Sequence, residues 1–247
     1  MALTTVTVDV PAGTRALLTD VVAAEAAREK AWLADRRAHI AAYAKKLPGP
    51  AGPDAADRAA HRTTLLSDLA RMRAELRAER AALRESGELR GSQDLVVAHG
   101  VREVVEARGW ADREWPAVPD TTAAGVPGRP VGTGHGRVRA RPVPGVQGPH
   151  ETLTIRLPAD LATLVRTACH VTSQPAVEAL IQWQAVWGDG PRATDDPDQD
   201  PLRPLTADGA ALAERSRLRA QVITLGDVIR DAVRLVTLGE LPEDAPL

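Results

Sequence analysis

The sequence predicts a mostly α-helical protein with a small two-stranded antiparallel β-ribbon, and three observations carry that expectation. First, Thr4-Thr5-Val6-Thr7-Val8-Asp9-Val10 and, 147 positions later, Glu151-Thr152-Leu153-Thr154-Ile155-Arg156-Leu157 alternate polar and apolar residues strictly over their last six positions. That is the period of a strand with one face buried. Second, each segment ends in Pro-Ala and opens a helical pattern, so the chain repeats a strand-to-helix unit. Third, the long stretches without Gly or Pro carry apolar residues at steps of three and four, the spacing of one helix face.

Taken in order, the first strand leads to Thr14, placed to cap a helix that continues to about Lys46, since neither Gly nor Pro occurs between Gly13 and Pro48. The run Pro48-Gly49-Pro50-Ala51-Gly52-Pro53 breaks it, and Asp54 caps a second helix to about Ser86, with Gly87 as the stop. The first helix carries Val22, Ala26, Leu33, Ile40, Tyr43 and Leu47 on one stripe, the second Leu65, Leu69, Met72, Leu76 and Leu83. Similar lengths and a short loop predict an antiparallel helical hairpin over 14–86, roughly 50 Å long at about 1.5 Å per residue. The many Arg and Glu residues from Arg71 to Glu88 read as its solvated face.

Ser92 opens a third helix, Gln93 to Arg108, with Leu95, Val96, Val97, Val101, Val104 and Val105 facing inward. The segment 116–150 is dense in Pro and Gly, has no periodicity and reads as a linker. Beyond it come the second strand, a helix from about Ala159 to His170, another from Ser173 to Trp187 with Pro175 in its first turn, and an acidic loop over 188–205. Thr206 caps a short helix toward Arg219, and Thr224 caps a last helix from Leu225 to about Leu235. The closing helices also rhyme: Val101-Arg102-Glu103-Val104-Val105 matches Ile229-Arg230-Asp231-Ala232-Val233. The organisation is a first unit over 1–115, the linker over 116–150 and a second unit over 151–247.

Composition narrows the functional classes. There is no Phe, one Tyr and five Trp, so the core is built from Leu, Val, Ile and Ala. A single cysteine, Cys169, excludes an intrachain disulfide framework and a multi-cysteine zinc site, in keeping with a reducing compartment. Met1-Ala2-Leu3-Thr4-Thr5 has no basic n-region, and no apolar run reaches the roughly 20 residues of a membrane helix, so a cytoplasmic protein away from membranes is expected. The formal net charge is -2, so any affinity for nucleic acid must come from local positive charge.

Catalytic constellations are missing. Gly132-Thr133-Gly134-His135-Gly136 lacks the strand, the helix and the Gly-Lys-Ser/Thr of a phosphate loop. Asp196, Asp198 and Asp200 open like a calcium loop, but Pro201 stands where the turn glycine is needed and Ala207 where the bidentate Glu is needed. The six histidines show no paired metal spacing, and Cys169 beside His170 on a helix reads as a buried structural residue, since neighbours on a helix point about 100° apart. Trp183 and Trp187, four apart, read as one packed face. The expectation is a protein without enzyme activity, metal or cofactor.

At Thr152-Leu153-Thr154-Ile155-Arg156-Leu157-Pro158, with Leu161, Leu164 and Val165, the chain resembles the ribbon-helix-helix family of DNA-binding regulators, and 222–233 looks like that family's second helix. The resemblance covers about a third of the chain. It implies a tandem pseudo-dimer, both strands from one chain, carrying the helical hairpin as an insertion. Closing a loop of about 150 residues costs only about 4 to 5 kcal/mol, and one strand could not stand alone in water. It further implies that Thr5, Thr7 and Asp9 with Thr152, Thr154 and Arg156 face the bases of double-stranded DNA, while Val6, Val8, Val10, Leu153, Ile155 and Leu157 face inward. Phosphate-holding amides at the start of the second helix map to Thr224 and Leu225, and more loosely to Ser92 and Gln93.

The chain departs from the family at Asp9, an acid on the DNA-facing side, and in the long insertion between the two helices of each unit. Two parses of the second unit stand open, with 173–187 or 224–236 as its second helix. In the linker, Arg129, Arg137, Arg139 and Arg141 form a basic run with no acid from Gly125 to His150, either an arm for phosphates or a solubilising spacer. The function expected is a sequence-specific DNA-binding protein, a repressor or an accessory of plasmid or phage DNA processing, as a monomeric pseudo-dimer or a homodimer. The alternative is a non-enzymatic interaction protein that docks a protein partner on the helical hairpin.

Overall fold

A computed structural model of the chain describes residues 2–46, 55–116, 150–187 and 207–240. About 75% of it is helical, with one two-stranded antiparallel sheet. The elements in order are β1 (Leu3–Pro11), α1 (Thr14–Ala44), α2 (Ala55–Glu85), α3 (Gln93–Ala107), β2 (His150–Pro158), α4 (Ala159–Trp187), α5 (Ala207–Gln221) and α6 (Leu225–Leu238). They fall into two compact units that do not follow chain order. One joins Met1–Ala12 to Gly100–Leu247, because β1 finds its partner in β2; the other is Gly13–His99, which contains the hairpin.

In the ribbon unit β1 and β2 pair over their full lengths, from Leu3 opposite Pro158 to Pro11 opposite His150. Alternation does the rest: Val6, Val8, Val10, Leu153, Ile155 and Leu157 are all buried, Val8, Leu153, Ile155 and Leu157 completely. A ribbon alone is marginal in water, and here α4 and α6 pack against it. α4 contributes Leu161, Ala162, Val165 and Ala168, α6 contributes Val228, Ile229, Ala232 and Val233, and Val101, Val104 and Val105 of α3 are buried as well. Each buried Val, Leu or Ile among them stabilises the fold by about 1.5–3 kcal/mol relative to exposure, and each Ala by less. Gly100 lets α3 cross close to α6, since a Cβ there would lie 2.7 Å from the Ala232 carbonyl oxygen and 2.7 Å from Val236 Cγ1.

The interior of this unit also holds a charge pair. Arg108 Nη2 donates to Asp231 Oδ2 at 2.8 Å, with the arginine side chain 6% exposed. Burial pushes the Asp231 carboxyl above its ordinary value, and the Arg108 guanidinium only partly opposes this. Cys169 is buried, and burial pushes its thiol up to about 12, so it is a protonated packing residue at neutral pH.

Two local expectations are corrected. The helices expected over Ala159–His170 and Ser173–Trp187 are one continuous helix, α4, with Pro175 inside it. The proline forfeits one helix hydrogen bond, but the bend-prone stretch is held from outside: Ser173 Oγ donates to the Ile223 carbonyl at 3.2 Å and accepts from Ile223 N–H at 2.8 Å. This removes the parse in which 173–187 is a separate second helix. Beyond it Ala176, Leu180 and Trp183 pack with Ala211, Leu218 and Val222, the last just past α5, and Trp183 Nε1 donates to the Ala211 carbonyl at 2.9 Å. Trp183 and Trp187 do stack, ring centroids 6.4 Å apart. The second correction is at α1, whose N-cap is Gly13 (φ 87°) and not Thr14. Leaving the ribbon takes the chain through a left-handed residue, which glycine adopts without steric cost.

In the other unit α1 and α2 run antiparallel, as the partner numbers show: Tyr43 Oη donates to Asp68 Oδ2 (2.9 Å), Arg36 Nη2 to Glu79 Oε1 (2.8 Å), and Arg80 and Arg84 both reach Glu29. Leu65 and Leu69 of α2 are buried, but Val22, Ala26, Leu33, Ile40 and Tyr43 of α1 are only half-buried. The buried residues of α1 are Leu18 and one carboxylate, Glu29, at 4% exposure. Arg80 donates to Glu29 Oε1 through Nε (2.8 Å), with its Nη2 in ion-pair contact at 2.6 Å, and Arg84 donates through Nε (3.1 Å) and Nη2 (2.7 Å). The Gly91 amide donates to Glu29 Oε2 at 3.2 Å, and a Cβ on Gly91 would stand 2.2 Å from that oxygen.

Candidate nucleic-acid interface

Six of the residues singled out in the sequence are brought together on the outward face of the ribbon. The register sets Thr5 opposite Arg156, Thr7 opposite Thr154, and Asp9 opposite Thr152. Thr5, Thr154 and Arg156 are exposed, and Thr7, Asp9 and Thr152 are half-exposed. Because side chains alternate across a strand, these six share one side while the aliphatic set fills the other.

The two ends of that face differ. At one end the Thr152 hydroxyl donates to Asp9 Oδ1 at 2.9 Å. Arg230, on the first turns of α6, donates from Nη1 to the Asp9 carbonyl at 3.3 Å and pairs with Asp227. Asp9 is thereby tied to both β2 and α6. At the other end stands the guanidinium of Arg156, four residues along the strand from Thr152, or about 13 Å at about 3.3 Å per residue. The face presents one cation, one anion and four hydroxyls.

The start of α6 is built as the sequence predicted. Thr224 is the N-cap: its Oγ1 accepts from Asp227 N–H at 3.2 Å, and Asp227 Oδ2 accepts from Thr224 N–H at 2.8 Å, a reciprocal capping box. Of the two amides expected for a phosphate, that of Thr224 is thus taken by the Asp227 carboxylate, and Leu225 is buried. Ser92 performs the same role for α3, its Oγ accepting from Leu95 N–H at 3.4 Å, and Gln93 beside it is half-buried. Ser92 and Gln93 belong to the 13–99 unit, Thr224 and Leu225 to the ribbon unit. Arg129, Arg137, Arg139 and Arg141, and the acidic loop, lie outside the described residues.

Sequence reasoning passed over Arg230. The signal was the rhyme with Arg102, which marked the position without indicating a reach back to β1. Among the described residues no cluster of His, Cys, Asp and Glu could hold a metal ion, and no helix is long and apolar enough to cross a membrane. The chain matches no family model, no curated protein and no solved structure.

Proposed function

We propose that this chain is a sequence-specific DNA-binding protein, a repressor or an accessory of DNA processing. In this reading it is a ribbon-helix-helix-like pseudo-dimer whose two strands, both from one chain, enter the major groove. The observation that carries the reading is the register, which sets Thr5, Thr7 and Asp9 directly against Arg156, Thr154 and Thr152 on the solvent side of a ribbon whose other side is packed. The major groove is about 12 Å wide and admits such a ribbon. There Arg156 suits guanine O6 and N7, the threonines suit base edges or a thymine methyl, and Asp9 suits the amino group of cytosine. With unlike ends, the face calls for an asymmetric site and not a palindrome.

The test is anisotropy or gel-shift binding of the full chain to DNA from its own upstream region and to a randomised duplex pool, across a salt series. The expected result is selection of a specific site and a loss of about 1–3 kcal/mol in Arg156→Ala. Binding unchanged by Arg156→Ala, or no binding at low salt, assigns the ribbon an architectural role and leaves the hairpin as the surface for a protein partner.

A further inference from the structure

The hairpin unit carries a second feature that the DNA reading does not use. A cleft of about 320 Å³ lies beside the Glu29 cluster, lined by Glu29, Lys30, Arg37, Arg80 and Arg84 with Gly91, over a floor of Ala26, Leu33 and Ala34. Its charge is unbalanced. Four cations line it against one carboxylate, so the lining carries a formal +3.

The arrangement of the four cations is specific. Glu29 is buried, and its Oε1 gathers two guanidiniums that would otherwise repel each other, using Nε and Nη2 of each. Among the described residues, neither Arg80 nor Arg84 makes a further hydrogen bond or ion pair through Nη1. An arginine carries five donors in a planar fork that matches phosphate oxygens. Lys30 and Arg37, two turns apart on α1 with Leu33 and Ala34 between them, border the same cleft and are exposed. Apolar walls beneath clustered charge focus the field and raise the local concentration of counter-ions. The ordering of the two arginines is already met by folding, so a ligand need not meet it again.

We propose that this cleft is a binding site for a small, multiply charged phosphate-type anion, held by Arg80, Arg84, Lys30 and Arg37, with Glu29 as the residue that positions the two guanidiniums. A dianion or larger is expected because a single charge would leave the lining strongly positive.

The experiment is isothermal titration of the full chain with sodium pyrophosphate at low ionic strength and pH 7.5, with sodium chloride of matched ionic strength as the blank. A saturable heat is expected, weakened at least tenfold in Lys30→Ala/Arg37→Ala. The control Arg73→Ala/Arg77→Ala removes two exposed charges from α2 outside the cleft and should change the affinity less than twofold. Circular dichroism confirms that both variants keep their helix content. No saturable heat at millimolar pyrophosphate overturns the proposal, and so does equal weakening by the two pairs, which would make the effect one of overall charge. Neither outcome bears on binding of duplex DNA by the ribbon.

Discussion

Helix α6, of 14 residues, buries Leu225, Gly226, Val228, Ile229, Ala232 and Val233, whereas α1, of 31 residues, buries Leu18 and Glu29. The ribbon unit is held by a dense aliphatic interior, with the charge pair of Arg108 and Asp231 largely buried beside it. The hairpin buries Leu65 and Leu69 but leaves the rest of its seam half-buried, and relies on hydrogen-bonded carboxylates at Glu29, Glu79 and Asp68. Apolar burial scales with area and is indifferent to pH and little affected by moderate salt, while ion pairs respond to both. The two units should therefore fail under different conditions.

The largest expected effect is in the aliphatic interior. Ile155, fully buried at the centre of the ribbon, should cost about 2–5 kcal/mol as Ile155→Ala, by lost transfer energy and an unfilled cavity. The equivalent truncation on the hairpin seam, Leu76→Ala, starts from a half-buried side chain and should cost about 1 kcal/mol. Urea unfolding of both variants measures the difference, and equal losses would show that the seam is as well packed as the ribbon.

Next in size is the buried carboxylate. Burial pushes Glu29 up, but hydrogen bonds from Arg80 and Arg84 outweigh that and hold its pKa below the ordinary 4.5. A lowered folded pKa means that this stabilisation is complete above the ordinary carboxyl range and is lost as pH falls through the folded value. Asp231 behaves oppositely: its pKa is raised above 3.8 by burial, so the folded state binds that proton more tightly, and its contribution is lost as pH rises through the raised value. Acidification below about pH 4.5 should therefore loosen the hairpin first, seen as a change in Trp32 fluorescence in a variant whose other tryptophans are replaced by Phe. Glu29→Gln should cost about 1–3 kcal/mol at neutral pH and flatten that acid response. An acid curve unchanged in Glu29→Gln would remove the carboxylate from its assigned role.

How much of this was legible in the sequence follows from the same contrast. The ribbon could be read because period-two alternation has few alternative meanings, and the 147-residue repeat supplied the partner strand. The α6 cap was legible because Thr224 followed three residues later by Asp227 is a local signal. The Glu29 cluster was not, because apolar periodicity counts apolar residues only. Glu29 lies three past Ala26 and four before Leu33, on the stripe itself, and an acid at an inward position opposite Arg80 and Arg84 was the available signal. The continuity of α4 was hidden by Pro175, since the bonds that hold Ser173 come from Ile223, fifty residues away. Compact units that interleave along the chain likewise cannot be read from element order.

The smallest expected effect tests whether position on the hairpin or burial sets the worth of its ion pairs. Arg36 and Glu79 meet at 2.8 Å, as short as the contacts at Glu29, but their side chains are 49% and 42% exposed. Water competes for both groups and salt screens them, so a double-mutant cycle with Arg36→Ala and Glu79→Ala should give a coupling of only about 0–1 kcal/mol, vanishing in about 1 M NaCl. The Glu29–Arg84 cycle should give a larger coupling that survives the same salt, because the carboxylate is 5% exposed and accepts from both arginines. If the two couplings came out equal, burial of Glu29 would contribute nothing beyond an ordinary surface contact. The hairpin would then be held by Leu65, Leu69 and its half-buried seam residues, as the ribbon unit is by its aliphatic interior.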